Sequence, residues 1–305
     1  MDALSQILTT LRMEAGVFSR AALRSPWAVS SKKLPVALFH VVVRGSGRLE
    51  RDGHPPVAWV AGDLLVLPQG TAHVMAAGPA VSPRPIGSLP AVIGEDGLPC
   101  VEGGGTGEET LLLCGTFRLH PEARGIVLGH LPGVLHVRPS LDGTAGWLDA
   151  SLRLLTAEQL ARGPGSAALS TRLAEMLFIQ VLRGYIEDHP SESGWLAALS
   201  DPDLAPAMAA IHGDISVDWT AAELARRCAM SRSIFFDRFR AAVGQTPLNY
   251  LTHWRMLLAS VSLADGLSLG EAADRVGYTS EASFSKAFKR NIGVPPGAYR
   301  RGQRP

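Results

Sequence analysis

Two groups of residues in this 305-residue chain have the types and spacing to do chemistry. The first is a pair of thiols. Cys100 and Cys114 flank the glycine-rich stretch "VEGGGTGEETLLL". Cysteines whose Cα atoms come within about 4.4–6.8 Å can form a disulfide, and in the cytosol such bonds are often redox-sensing. The attacking thiol must ionise, and Glu102, Glu108 and Glu109 oppose that. Three cysteines in all are too few for a disulfide scaffold. The second group is cationic. From Glu281 to the end, Lys286, Lys289, Arg290, Arg300, Arg301 and Arg304 face that single acid. Such a tail binds a polyanion, or it is a solvated basic face.

The cations belong to a stretch that the chain writes twice. "SRSIFFDRFRAAVGQTPLNYL" starts at Ser231 and "SEASFSKAFKRNIGVPPGAYR" at Ser280. Each runs from hydroxyls through spaced aromatics and basic residues to Gly, Pro and Tyr. Glu223, Ala225 and Cys228 match Glu271, Ala273 and Val276 at an offset of 48; Phe239, Gly244, Pro247 and Tyr250 match Phe288, Gly293, Pro296 and Tyr299 at 49. One residue is therefore added, expected at the start of the later helix. Cys228 reads as core, because its counterpart is Val276.

The elements that must position these residues follow from local signals. Thr220 with Glu223 and Ser268 with Glu271 form capping boxes, and Thr246 before Pro247 starts a long helix reaching about Ala264. Gly244, Gly277 and Gly293 stop or turn helices. Each copy is then a helix, a tight turn and a basic second helix, a helix-turn-helix unit whose second helix has the length to enter a major groove. A plain helical repeat is the other reading, although arrays usually need three or more units.

Upstream, residues 17–75 favour strands, and "TLLLCGTFRLH" from Thr110 resumes them. Between them residues 78–107 hold 13 Gly or Pro, which predicts a long mobile loop. From about residue 144, "GWLDASLRLLTAEQLARG" and "STRLAEMLFIQVLRGYIEDH" have helical apolar spacing. These two helices form a dimer interface, connect two domains, or pack on the strand-rich half. The N-terminal "MDALSQILTTLRMEAG" reads as an amphipathic helix and not a signal peptide.

Composition bounds the function. A chain of this length suits two domains. An apolar content of 46% with 19% charge excludes wholesale disorder. No apolar run reaches the roughly 18 residues that span a bilayer, so no membrane association and a cytoplasmic location are expected. Lys and Arg number 13 against 10 acids from Asp201 onward and 16 against 18 before it. No nucleophile motif, P-loop or dinucleotide fingerprint occurs; "EGGGTGEE" lacks both a Lys and a following helix. An enzyme is not expected.

"GYTSEASFSKAFKRNIGVPPGAYR" resembles the C-terminal signature of the AraC/XylS family of transcriptional regulators. "WTAAELARRCAMSRSIFFDRFRAAVGQTPLNYLTHWRMLLASVSL" resembles that family's first helix-turn-helix and connecting helix. The resemblance covers about residues 203–301. It implies recognition helices at about 231–243 and 281–291, with Ser233, Phe236 and Asp237, and Glu281, Ala282, Ser283 and Lys286, facing bases. Arg232, Arg240, Lys289 and Arg290 then hold phosphates. Phe235, Phe239, Phe284 and Phe288 recur at i+4 and read as core. Asp237 either accepts from a cytosine amine or pairs with a nearby Arg, and the pairing is preferred here. The resemblance also implies contact with RNA polymerase, with activator or repressor output left open; a homodimer belongs to the dimer-interface reading of the two helices after about residue 144.

"GDLLVLPQGTAH" resembles the second motif of the cupin family through Gly62, Pro68, Gly70 and His73. It implies a small β-barrel ahead of the DNA reader. Enzyme cupins place metal on a His-x-His pair and a later Glu, whereas "FHVVVRGSGRLERDG" offers only His40. The candidate ligands are thus His40 and His73, holding a small-molecule effector or a divalent metal completed by Cys114 or water, or else satisfied inside the barrel. The expected fold is α+β in two domains: a cupin-like barrel with flanking helices over 1–200, its helical connector at about 144–200, and an all-α double helix-turn-helix over 201–305. The expected function is a DNA-binding regulator of transcription controlled by a signal in the first domain. The alternative is a metal-binding cupin protein or enzyme whose helical half serves assembly.

Overall fold

The computed structural model describes residues 3–11, 13–94, 97–138, 144–161, 163–189 and 194–302. Arg304 of the basic tail lies outside them. The chain forms two compact units, one of residues 13–118 and 131–185, the other of 1–12, 119–130 and 186–305.

The first unit is built on strands β1 (Glu14–Arg24), β2 (Trp27–Ser31), β3 (Ala37–Arg44), β4 (Ser46–Arg51), β5 (His54–Val60), β6 (Leu64–Leu67), β7 (His73–Ala77), β8 (Arg84–Pro85), β9 (Ala91–Ile93), β10 (Pro99–Gly104), β11 (Glu109–Arg118) and β12 (Leu135–Val137). They form a seven-stranded sheet, β12-β6-β3-β11-β1-β10-β9, and a five-stranded one, β5-β4-β7-β2-β8. The inner faces enclose a core that includes Leu23, Trp27, Leu38, Val42, Trp59, Leu67, Met75 and Leu112.

Strand β3 is buried from Ala37 to Val42 because both of its faces are covered. Leu38, His40 and Val42 point inward. Phe39 points outward, where Phe117 stacks on it at 4.7 Å and Phe178 on Phe117 at 4.8 Å. Phe178 comes from α4 (Ser166–Asp188), which with α3 (Thr144–Ala161) supplies the helical layer. Buried Arg20 donates from Nη1 to the Gln159 carbonyl at 2.9 Å, tying α3 to β1. Of the three readings of these helices, packing on the strand-rich half is the one observed.

The turn between β6 and β7 requires Gly70. Its φ is +59°, and a Cβ there would collide with the carbonyl oxygens of Leu34 and Val36. The long loop predicted over 78–107 is instead largely structured: β8, a 3₁₀ turn at Ile86–Ser88, β9 and β10 lie within it. β8 and β9 are short, exposed edge strands, and β8 ends on a proline.

The second unit is helical: α1 (Ala3–Leu11), α2 (Pro121–Leu128), α5 (Trp195–Ser200), α6 (Ala205–Gly213), α7 (Ala221–Arg227), α8 (Arg232–Val243), α9 (Pro247–Ala264), α10 (Leu269–Arg275), α11 (Glu281–Ile292) and α12 (Pro296–Gly302). α9, 18 residues and roughly 27 Å long, is its spine. Buried Arg255 on α9 donates to the carbonyls of Ile215 and Val217 at 2.8 Å, fixing the chain ahead of α7. α1 packs on α6 and α9, and α2 on α9. The division expected at residue 200 therefore differs: α1, α2 and the stretch from Ile186 belong with the helices, because Ala3 and Ile7 bury their apolar face there. No described helix is long and apolar enough to cross a membrane.

Candidate nucleic-acid interface and ligand cavity

Two helix-turn-helix units are built alike from their caps inward. Thr220 Oγ1 accepts from the Glu223 amide at 3.2 Å while Glu223 Oε2 accepts from the Thr220 amide at 2.9 Å. Ser268 and Glu271 repeat this at 3.2 and 2.7 Å. Ser231 and Ser280 cap α8 and α11, and Gly244 and Gly293 end both helices in the left-handed conformation. Both helices have 12 residues. The added residue of the second copy therefore lies in the turn, not at the helix start. That turn bends at Gly277, φ +78°, where the first bends at Ala229, φ +52°. Phe235, Phe239, Phe284 and Phe288 are fully buried, each pair 5.6 Å apart. Phe239 meets Tyr250 at 5.7 Å and Phe288 meets Tyr299 at 5.6 Å, so one aromatic spine serves each copy.

With those rings inward, the opposite faces of α8 and α11 meet solvent. Arg232, Ser233, Asp237 and Arg240 are exposed, and Phe236 is half-buried. Glu281, Ala282, Ser283, Lys286, Lys289 and Arg290 are all exposed. The preferred pairing of Asp237 with an arginine does not form. The adjacent guanidinium, Arg238, turns to the flank and binds Asp201 at 3.2 Å and Asp203 at 2.7 Å. Neither acid was singled out from sequence, since both lie more than 30 residues away. Ile234, 59% exposed, is a further apolar residue on the open side of α8; its exposure follows from its place one residue before the buried Phe235.

In the strand unit a cavity of about 560 Å³ opens between the sheets. Leu23, Trp27, Leu38, Met75, Ile86 and Leu112 line it, with Ser19, His40, His73 and Cys114 among the polar groups and Lys32 on its exposed rim. His40 sits on β3 and His73 begins β7, so facing sheets supply the two imidazoles. Their Nε2 atoms are 3.1 Å apart. His73 Nδ1 lies 2.9 Å from the Thr71 carbonyl, and His40 Nδ1 lies 3.2 Å from Cys114 Sγ.

A carbonyl only accepts, so His73 carries its proton on Nδ1 and accepts at Nε2. His40 then donates from Nε2 and accepts the Cys114 S–H at Nδ1. Every donor of this three-residue relay has a partner, and both rings are neutral. Burial, with His73 close by, lowers the His40 pKa to about 3. Burial lowers His73 as well, against a backbone hydrogen bond that raises it. Burial pushes Cys114 up to about 12, despite a hydrogen bond from Ser19 that lowers it.

A cupin family model matches residues 2–187 and a helix-turn-helix domain model matches residues 224–302. A putative AraC-like transcription regulator of Streptomyces lividans is 36% identical over 304 residues, covering 99% of this chain and 98% of that one. This chain belongs to the AraC-like transcriptional regulators. The HTH-type transcriptional regulator AlkR of Acinetobacter baylyi is 30% identical, with 98% and 99% covered. Among solved structures, the DNA-binding domain of AdpA in complex with a target DNA aligns at 35% identity over 34% of this chain and 93% of that one, with a TM-score of 0.32.

The regulator departs from a metal-holding cupin in its donor set. Val42, on the inner face two residues after His40, is buried core where a His-x-His pair would place its second imidazole. Cys114 sits at Nδ1 of His40, turned away from the Nε2 atoms that would share an ion. No cluster of three or more His, Cys, Asp or Glu suited to a metal occurs among the described residues. The cavity thus offers two imidazoles and no third protein ligand among the described residues, one fewer than a catalytic zinc site takes.

The cysteine pair is also ruled out as a direct disulfide. Arg20 of β1 pairs with Cys100 on β10 on one side, while neighbouring Ser19 pairs with Cys114 on β11 on the other. A whole strand separates the two cysteines, which puts their Cα atoms roughly 9–10 Å apart at 4.7–4.9 Å per strand, and their side chains point to opposite faces. Both are free. One polar pair escaped the sequence: buried Asp63 accepts from His136 Nε2 at 2.7 Å across 73 residues of chain.

Proposed function

We propose that this regulator couples DNA reading to an uncharged, largely apolar small molecule held in the cavity between its sheets, and that it acts in the cytoplasm. The observation that carries the reading is the cavity itself. At about 560 Å³ it has the size of a small-molecule site, and its walls are mostly hydrocarbon with a few polar groups. The imidazole chain supports an uncharged ligand, because both rings are neutral and their hydrogen bonds are satisfied within the protein. The serine hydroxyls of the wall, Ser30 and Ser31 among them, remain for one polar group on the ligand.

The test is a thermal-shift titration with uncharged amphiphiles of graded length, paired with gel shifts on DNA from the regulator's own upstream region. Several compounds should raise the midpoint and change DNA affinity. Ala21→Phe, which fills the cavity from β1, should abolish both responses and leave DNA binding intact. Responses that survive Ala21→Phe would exclude the cavity as the site.

A further inference from the structure

The two recognition helices carry opposite charges at one and the same structural position. α8 and α11 have equal lengths, matching serine N-caps and matching left-handed glycines at their ends. Their registers are therefore locked at an offset of 49 residues. Phe235 and Phe239 in α8, like Phe284 and Phe288 in α11, mark the buried face. At 100° per residue, the position midway between the two rings in sequence points directly away from them. That position is Asp237 in α8 and Lys286 in α11, and both are exposed.

Neither side chain is used by the protein. Arg238, the cation next to Asp237, is held by Asp201 and Asp203. No ion pair or hydrogen bond engages Asp237 or Lys286 among the described residues. A carboxylate facing a phosphate backbone is repelled, so an unpaired one at the centre of a reading face needs a compensating donor. In the major groove, cytosine N4 presents that donor to Asp or Glu, while guanine O6 and N7 accept from Lys.

We propose that the two helices read bases of opposite hydrogen-bond polarity, Lys286 donating to a guanine and Asp237 accepting from a cytosine amine. The surroundings agree. Asp237 is flanked one turn away by Ser233, Ile234, Arg240 and Ala241, and Lys286 by Ala282, Ser283, Lys289 and Arg290. Each helix keeps two exposed cations for phosphates, Arg232 and Arg240 on α8 and Lys289 and Arg290 on α11, and Ile234 on α8 adds an apolar surface for a thymine methyl. Because α9 joins the helices in fixed order, one chain reads its site in one direction only. The inference rests on the regulator's DNA-binding family and not on the cavity.

The experiment is selection of binding sites by the full chain from a randomised duplex library, followed by affinities for the selected duplex and its single-base variants. The parent should select one position with cytosine facing α8 and another, about one helical turn away, with guanine facing α11. Asp237→Asn should move the first preference to adenine, which Asn binds bidentately, and leave the second alone. Asp237→Ala should flatten the first preference roughly tenfold, and Lys286→Met should flatten only the second. Both positions are exposed, and thermal midpoints within a degree or so of the parent's confirm folding. The inference is overturned if Asp237→Asn and Asp237→Ala tighten binding to every duplex alike with the selected bases unchanged, since the carboxylate then only repels phosphate. A parent that selects no sequence at all also overturns it, and would do so by removing base reading from both helices.

Discussion

His40 should make the strand unit sensitive to acid. Its ring is buried with no charged partner, and its pKa falls from 6.5 to about 3. The folded state then refuses a proton that the unfolded chain accepts below pH 6.5. Stability is intact above that value and declines as pH falls through the window from about 6.5 to 3. Between pH 7.5 and 4.5 the loss is about 2–3 kcal/mol, at roughly 1.4 kcal/mol per unit. For a unit of this size that lowers the melting midpoint by about 5–10 °C. The control is His40→Gln, which can still accept from Cys114 and donate to His73 but cannot titrate.

Thermal melts of parent and variant across that range isolate the His40 share. Buried His212 is likewise lowered to about 3, but it is present in both proteins and cancels. The variant should begin less stable at pH 7.5 and lose less on acidification, so that the two curves converge. Parallel curves would show that His40 does not titrate in this window and would refute the neutral imidazole chain.

Two further outcomes follow from the backbone and the sheet register. Gly277→Ala should cost about 2 kcal/mol or more in a urea melt, since it forces a Cβ into φ +78° and against the Ser216 carbonyl, whereas Ala229→Gly at φ +52° should be neutral or gain up to about 1 kcal/mol. Oxidant applied to the native protein should give no Cys100–Cys114 crosslink by peptide mass mapping, and Cys100→Ser with Cys114→Ser should leave the response to oxidant unchanged; a crosslink in folded protein would contradict the pairing of both strands with β1.

What could be read from the sequence was what short spans determine. Capping boxes span four residues, the Phe pairs five, and the Gly62–His73 motif twelve, so each declared its element without knowledge of the rest. Burial then confirmed them: the four phenylalanines are core, and His73 sits at the start of β7 facing His40. What could not be read depends on partners far along the chain. Cys100 lies in a stretch whose Gly and Pro content predicts a mobile loop, and nothing local shows that β10 aligns in parallel with β1, some 80 residues earlier. α1 has an apolar face whose partner, α6, comes about 200 residues later. Arg238 finds Asp201 and Asp203 by the same kind of long reach.

The comparison of the two helix-turn-helix copies shows how one chain can keep a scaffold and vary a reading face. The caps, the terminal glycines and the aromatic spine are retained because each unit must satisfy its helix ends and fill its own small core. The outward positions carry no such obligation. Asp237 and Lys286 are exposed and make no hydrogen bond or ion pair among the described residues, so the fold does not fix their charges. Arg238 marks the border between the two regimes. Its counterpart, Ala287, is buried in the second core, whereas Arg238 binds two acids that the second copy has no equivalent use for. By fixing that cation to the flank, the fold leaves the centre of α8 to a carboxylate, and thereby makes the first reader the one that must find a hydrogen-bond donor on DNA.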